Sequence, residues 1–313
     1  MNKAVKGTLC GILAAVSYGT NPLGALSLYH AGIGAGSVLF YRFAIATVVM
    51  AALLAINRIS FRVSLRELLL LALLGVIFST SSLTLYFSFC FMDAGIASTL
   101  LFVYPVMVAV IMSLFFKERM TYVTVLSILL ALSGIALLYN GGGVTLNVIG
   151  VLLVMLSSLS YAVYIVIVNR SSMRISTFKL NFYVILFGTL TVFSHTVISG
   201  GHIQMLTTPK MWSSALLLAL LPTVLSLVLM TVAVHNIGST PTAIMGALEP
   251  VTAVAIGVVV FGEHFTSRLA LGILLILFAV LLIVCGKSLT PHRVMVAVGS
   301  ARRLLKKTWR WKS

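Results

Sequence analysis

Long apolar runs, broken by very few charges, restrict the folds that this chain can adopt more than any other feature of its sequence. Of the 313 residues, 60% are hydrophobic and only 8% are charged, whereas about a quarter of the residues in a soluble globular domain are charged. The chain therefore has too few polar residues to cover a soluble core. A soluble enzyme, a disordered chain and a disulfide-stapled secreted domain are excluded, and the sequence predicts a polytopic membrane protein.

Breaks between the apolar runs divide the chain into ten predicted membrane spans. We expect helices, because a helix satisfies its own backbone hydrogen bonds in lipid and crosses the hydrocarbon core with about 20 residues. The predicted fold is all-α, with ten transmembrane helices. The spans are 7–27, 35–56, 68–91, 95–116, 122–140, 147–168, 178–199, 212–235, 240–261 and 268–286.

The positive charges predict the orientation of these spans, since cytoplasmic loops collect Lys and Arg. With the N-terminus in the cytoplasm, 18 of the 21 Lys and Arg residues fall on the cytoplasmic side. The exceptions are Arg42, Lys210 and Arg268. An even number of spans returns the chain to its starting side, so both termini are expected to be cytoplasmic.

Residues 288–313 form a separate basic tail, in which apolar and basic residues alternate at helical spacing over 290–313. Such a segment is typical of an amphipathic helix that lies on anionic lipids of the inner leaflet. A flexible positive tail is the alternative interpretation. Nucleic acid is not an expected partner.

The sequence also contains an internal repeat. A shift of 145 residues aligns 100–138 with 245–283 without a gap and with 12 of 39 positions identical. The matches include the rare pairs Pro105 with Pro250 and Glu118 with Glu263. The predicted units are therefore two five-helix repeats, 1–140 and 141–287, and the odd number of helices inverts the second repeat in the membrane.

Inverted repeats are typical of secondary transporters, which hold the substrate near the midplane between the halves. The sequence contains no nucleotide-binding motif and no nucleophile, base or metal-ligand constellation. We therefore expect a transporter that uses no ATP, with no enzymatic activity, no cofactor and no metal.

Glu249 is the clearest candidate for substrate binding, because a charged side chain within a span is costly and usually functional. It precedes Pro250, and its repeat counterpart Tyr104 precedes Pro105. A carboxylate there can pair with a cationic substrate group or carry a proton. The alternative is a protonated carboxyl group with a structural role.

Other polar residues within the spans complete the candidate site. An Asn-Pro pair interrupts the first span and provides either cavity lining or a kink, and tyrosines of the second half lie in the matching stretch. The remaining candidate substrate-binding residues are Ser17, Tyr18, Asn21, Tyr86, Tyr161 and Tyr164, and the candidate structural or gating residues are Arg42, Pro22, Pro105 and Pro250. Arg42 is expected to extend toward the outer surface or to pair with a carboxylate.

With these residues, the chain resembles the EamA-type transporters of the drug/metabolite transporter superfamily over nearly all of 1–287. The resemblance implies a cavity lined by spans 1, 3, 4, 6, 8 and 9, and allows Glu249 to serve the shared fold instead of the substrate. The motifs that carry it are Tyr18–Asn21, Tyr41–Phe43, Gly95–Pro105, Lys117–Arg119, Leu248–Val251 and Gly262-Glu263.

The expected function is secondary transport of a small organic metabolite across the bacterial cytoplasmic (inner) membrane. Tyrosine rings together with one carboxylate suit an ammonium group, which favours export of an amino acid or an amine. The alternative is a component that flips a lipid or a lipid-linked substrate, and a third hypothesis is an intramembrane enzyme.

Overall fold

The structure, a computed structural model, describes residues 3–117, 121–139, 147–171, 173, 175–238, 241–242 and 245–288. The basic segment 290–313 and Glu118 lie outside these residues. The lipid-binding role of the tail therefore stays a prediction.

All the regular elements in the described ranges are helical, as the apolar runs predict. Two consecutive helices make up the first, fourth and eighth predicted spans, and the eighth also contains a π-helical turn. The helices are α1 (Lys3–Gly19), α2 (Asn21–His30), α3 (Ala35–Ile56), α4 (Leu65–Ser88), α5 (Ala94–Leu101), α6 (Tyr104–Phe116), α7 (Tyr122–Tyr139), α8 (Val148–Arg170), α9 (Thr177–Ile198), α10 (Pro209–Ala219), the π turn (Leu220–Leu225), α11 (Ser226–Ile237), α12 (Leu248–Phe261) and α13 (Ser267–Ser288).

Within the part of the chain that the structure describes, seven segments are long and apolar enough to cross a membrane, so the protein is a multi-pass membrane protein. They are Lys3–His30, Ala35–Ile56, Leu65–Ser88, Ala94–Phe116, Val148–Arg170, Thr177–Ile198 and Pro209–Ile237. The shorter apolar helices Tyr122–Leu137, Leu248–Phe261 and Ser267–Leu282 overlap the other three predicted spans. The number of ten crossings and the side of each terminus stay predictions.

Polar side chains start several helices just before an apolar run. The Ser64 hydroxyl accepts a hydrogen bond from the backbone N–H of Glu67, whose carboxylate accepts one from the Ser64 N–H at 2.8 Å. The hydroxyls of Ser176 and Thr208 cap α9 and α10 by accepting hydrogen bonds from the backbone N–H groups of Lys179 and Met211. Such caps satisfy backbone donors that have no partner within the helix. They therefore determine the residue at which each helix begins.

The repeat is visible in the backbone of α6 and α12. These helices begin at Tyr104 and Leu248, just before the matched residues Pro105 and Pro250. They end at Phe116 and Phe261, and the matched residues that follow, Lys117 and Gly262, share a left-handed conformation with φ of 54° and 69°. Proline cannot continue a helix in its N-terminal direction, so the matched prolines account for the equivalent starts, and the matched left-handed residues mark the equivalent ends.

Packing between the halves has the same internal symmetry. α1 packs against α11, and the equivalent pair, α8 against α4, also packs closely. The pair α3 with α9 and the pair α7 with α13 each join equivalent helices, and α5 packs against α12, the counterpart of α6. The middle of the molecule is therefore an interface between two repeats, and this interface contains the cavities described next.

Candidate functional site

A cavity of about 100 Å³ lies between the two halves, where three helices are interrupted. Its walls come from the α1–α2 junction, the α5–α6 junction, α4, α8, α11 and the start of α12. A site for one water molecule needs roughly 10–15 Å³, so this cavity holds several waters or a small solute. Of the predicted residues, it gathers Tyr18, Asn21, Pro22, Tyr104, Tyr161, Glu249 and Pro250.

Glu249 lies in the first turn of α12 and faces this cavity. No hydrogen bond to its carboxylate is formed by the residues that the structure describes. Because no buried polar side-chain atom in these ranges lacks a partner, the carboxylate oxygens are accessible from the cavity. They are thus available to a solute.

The start of α12 is held close to α1 by Gly19. A Cβ atom at Gly19 would lie 2.5 Å from the Cβ of Thr252 and 2.6 Å from the carbonyl oxygen of Glu249. Only a glycine allows the two backbones to approach this closely. The sequence Tyr18-Gly19 therefore brings the Tyr18 ring and the Glu249 carboxylate to the same cavity.

Tyrosine rings of α6 and α8 form a row that begins in this cavity with Tyr104 and Tyr161. The ring centroids of Tyr104 and Tyr161 lie 4.7 Å apart with the rings edge to face, and those of Tyr161 and Tyr164 lie 5.8 Å apart with the rings stacked. Phe78 of α4 continues the row beyond Tyr164 at 5.5 Å. These ring faces can bind a cation.

A second cavity, of about 70 Å³, adjoins the first. Tyr18, Tyr161 and Leu227 line both cavities, so the two cavities meet at these side chains. Of the predicted residues, the second cavity adds Arg42 and Tyr164. It also contains Asn181 and Thr223, two polar residues that the sequence reasoning missed.

Arg42 is held within the protein, with only 3% of its surface exposed. Its Nε donates a hydrogen bond to the Thr223 hydroxyl and its Nη1 donates one to the Tyr86 hydroxyl, both at 2.9 Å. The expectation that Arg42 extends outward or pairs with a carboxylate is wrong for the described residues, because two hydroxyl groups hold the side chain inside.

Tyr86 has a different position from the one that the sequence suggested. It is completely buried and lines neither cavity. Its hydroxyl accepts the bond from Arg42 and donates one to Asn21 Oδ1 at 3.3 Å. Tyr86 therefore positions Arg42, and it joins α3, α4 and α2.

Two further predicted residues, Ser17 and Pro105, line neither cavity. The Ser17 carbonyl accepts a bond from the Thr20 hydroxyl at 2.7 Å, which stabilises the end of α1. Pro105 starts α6. Both residues act at the helix breaks, which place the neighbouring Tyr18 and Tyr104 in the cavity.

The sequence analysis also missed Ser98, Ser226 and Met230 in the first cavity. Ser226 follows the π turn, and its hydroxyl donates to the Ala14 carbonyl at 2.9 Å. Serines in membrane helices mostly support packing, so the sequence has no signal that separates these from others. Pro222, within the π turn, was the available signal for an irregular helix here.

A second carboxylate, Glu263, lies at the other end of α12 and outside the spans. It accepts hydrogen bonds from the backbone N–H groups of Ala94 at 2.8 Å and Gly95 at 3.2 Å. Burial and the charge of Asp93 raise the pKa of Glu263, and these two N–H donors oppose the rise. Burial also raises the pKa of Asp93, which the charge of His264 lowers in part. This cluster joins the loop after α12 to the start of α5.

Within the described ranges there is no group of three or more His, Cys, Asp or Glu side chains that could hold a metal ion. The predicted absence of metals and cofactors stays a prediction.

Comparisons with known proteins agree with this architecture. The chain is 32% identical over 205 residues to an uncharacterized transporter, sll1319, of Synechocystis sp., covering 64% of this chain and 61% of the relative. It is 27% identical over 125 residues to an uncharacterized transporter of Archaeoglobus fulgidus, covering 39% and 43%. The chain thus spans less than two thirds of the length of these relatives.

A solved crystal structure superposes with a TM-score of 0.64 at 17% identity, covering 88% of this chain and 97% of the other. This likeness supports the fold. The model of the EamA-like transporter family matches residues 5–140 and 148–285, once in each half. The chain therefore belongs to the EamA-like transporter family of the drug/metabolite transporter superfamily, whose members are transporters and not enzymes.

Proposed function

We propose that the protein is a secondary transporter that exports a small metabolite carrying an ammonium group, such as an amino acid or an amine. Alternating access exposes the cavity to each side of a bacterial cytoplasmic membrane in turn, without ATP. The basic segment 290–313 would bind anionic inner-leaflet lipids.

The observation that carries this proposal is the state of Glu249. Its carboxylate opens into the first cavity and has no hydrogen-bond partner in the described part of the chain. A carboxylate in such a place is costly unless a ligand or a proton compensates it. An ammonium group supplies that compensation, and the rings of Tyr18, Tyr104 and Tyr161 add cation–π attraction.

The test is counterflow exchange in proteoliposomes. The panel contains amino acids, polyamines, quaternary amines, and neutral and anionic solutes of similar size. Wild-type exchange of an ammonium-bearing class, lost or made independent of pH in Glu249→Gln, supports the proposal. Glu263→Gln is the matched control, because it makes the same change outside the cavity. Exchange of neutral or anionic solutes only would overturn the proposal.

Transport of a lipid-linked solute is a second candidate, favoured by one groove. Val103, Met107, Ile128, Ala131 and Met155, with other apolar residues of α6, α7 and α8, line a space of about 240 Å³. An apolar groove of this kind suits an acyl chain. This candidate predicts lipid that copurifies with the protein and movement of labelled lipid between leaflets, with no counterflow of soluble amines.

A further inference from the structure

Arg42 is a buried cation whose neighbours are neutral. It lies in α3, about two turns from the start of that helix at Ala35. The hydroxyls of Thr223 and Tyr86 accept its hydrogen bonds, and the faces of Phe43 and Tyr86 lie 5.7 and 5.6 Å from the guanidinium carbon. These groups hold the guanidinium in place without cancelling its charge.

No carboxylate among the described residues forms an ion pair with Arg42. The chain has five acidic residues. Glu67 lies in the first turn of α4, and Asp93 and Glu263 form the cluster at the far end of α12. Within the described ranges, Glu249 is thus the one carboxylate that faces the paired cavities. A buried charge without an opposite charge is expensive.

The two opposite charges lie on either side of one ring. Tyr18 lines both cavities, with Glu249 in the first and Arg42 in the second. The Tyr18 phenol has electrostatic interactions with both charged groups. The paired cavities therefore present an anionic end and a cationic end, and they meet at Tyr18, Tyr161 and Leu227.

We propose that Arg42 binds the anionic group of a zwitterionic substrate whose ammonium group binds Glu249. This inference rests on the proposed function and narrows its substrate class, since it assigns specificity to a residue that the sequence treated as structural. A substrate with both charges compensates both ends of the cavities. An amine leaves Arg42 uncompensated, and a carboxylic acid leaves Glu249 uncompensated.

Beyond the donors that bind Thr223 and Tyr86, and one that the Tyr18 phenol can accept, the guanidinium has further hydrogen-bond donors. A planar guanidinium binds a carboxylate through charge-assisted hydrogen bonds, which are the stronger kind. Losing such a bond corresponds to a factor of about ten or more in binding. The wild-type protein should therefore prefer the zwitterion by at least about tenfold over either singly charged relative.

The experiment compares matched triplets as competitors in counterflow exchange. One triplet is phenylalanine, phenethylamine and 3-phenylpropionate, and another is leucine, isoamylamine and 4-methylpentanoate. The expected result is inhibition by the amino acid at a concentration at least about tenfold lower than that of its amine or its acid. Equal inhibition by the amino acid and the amine overturns the inference and leaves the proposed function standing. Absence of exchange with every ammonium-bearing solute overturns the proposed function itself.

Variants then test whether Arg42 causes the preference. In Arg42→Gln the ratio between amino acid and amine should fall to about one, and in Arg42→Lys part of the ratio should remain, because the charge is kept. Arg66→Gln is the matched control, since it removes an exposed positive charge at the start of α4. A wild-type ratio in Arg42→Gln overturns the inference.

The triplet comparison in the wild type does not depend on the folding of any variant. Thr223→Val adds a milder change, because it removes one hydroxyl that positions the guanidinium and keeps the charge. We expect it to lower the ratio less than Arg42→Gln does. A Thr223→Val ratio below that of Arg42→Gln would contradict a role for the charge.

Discussion

The two carboxylates at the ends of α12 have opposite surroundings. Glu263, just past the end of the helix, accepts two backbone hydrogen bonds from the start of α5. Glu249, in the first turn, opens into a cavity and accepts no hydrogen bond from the described residues. One carboxylate has its partners within the fold and therefore serves structure, whereas the other has room for a ligand.

The glycines near the two carboxylates differ in the same way, since two of them make room for the Glu263 side chain and one contacts the Glu249 backbone. A Cβ atom at Gly95 would lie 2.9 Å from the Glu263 carboxylate, and one at Gly257 would overlap with it. These two positions thus leave space for the Glu263 side chain. Gly19, in contrast, approaches the backbone of Glu249 and leaves its side chain in the cavity.

The largest effect is expected from Gly19→Ala. The new Cβ would meet the Glu249 carbonyl oxygen at 2.6 Å, and backbone atoms cannot rotate away as a side chain can. We expect a loss of about 3 kcal/mol in unfolding free energy, at the upper end of typical overpacking costs, and loss of exchange. Thermal unfolding in detergent and counterflow measure the two effects. An unchanged melting temperature would contradict the close approach of α1 and α12.

The next effect concerns transport alone. Glu249→Gln should lower exchange of ammonium-bearing solutes by about 10- to 100-fold, because a charge-assisted hydrogen bond is lost. Its melting temperature should stay at the wild-type value or rise, because a desolvated carboxylate is removed. If Glu249→Gln instead unfolds more easily and Glu263→Gln loses transport, the roles of the two carboxylates are reversed.

A double-mutant cycle at the other end of α12 gives a smaller effect. In Gly257→Ala the new methyl group should displace the Glu263 carboxylate, so Ala94 and Gly95 lose their acceptor at a cost of about 1–2 kcal/mol. Glu263→Ala should cost about the same. Because both changes remove one interaction, the double variant should be no less stable than either single variant. If the losses in unfolding free energy were additive, the Gly257→Ala change would destabilise the protein through contacts other than those of the Glu263 carboxylate.

The smallest effect is a pH dependence of stability. The native pKa of Glu263 is raised above its ordinary value by burial and by Asp93, so the folded state binds this proton more tightly than the unfolded state. Its contribution is fully present below the unfolded pKa and is lost as the pH rises through the native pKa. The side chain is partly exposed, so the change is well under about 1 kcal/mol. Melting curves between pH 4 and pH 8 should be flatter for Glu263→Gln, and an equal slope would contradict this origin.

The sequence predicts most of the fold because the membrane imposes a simple rule. Runs of about 20 apolar residues have to be helical in lipid, and the described helices overlap the predicted runs. The repeat predicts details as well, since Pro105 and Pro250 start equivalent helices and their matched ends share one backbone conformation. These features depend on local sequence, so they are readable from it.

The site was predicted only in part, because its remaining residues depend on distant contacts. Glu249, Tyr18 and Tyr161 could be identified as polar or amphipathic residues within spans. The partner of Arg42, Thr223, lies 181 residues away in the sequence, and no local pattern joins them. Tyr86 was predicted to bind substrate, but its buried hydroxyl accepts a hydrogen bond from Arg42 instead. The sequence of a span does not distinguish these two roles of a tyrosine.

Because of the π turn at Leu220–Leu225, the lining of the cavity depends on the number of residues in this span. A π turn contains one residue more than the α-helical turn that it replaces, and each residue of an α-helix advances the side chains by about 100°. Deleting one residue between 220 and 225 would leave a segment that still crosses the membrane. It would also turn Ser226, Leu227 and Met230 away from the cavity they now line. The number of residues in this span is therefore set by the need to place side chains in the cavity, because a span one residue shorter would still cross the bilayer.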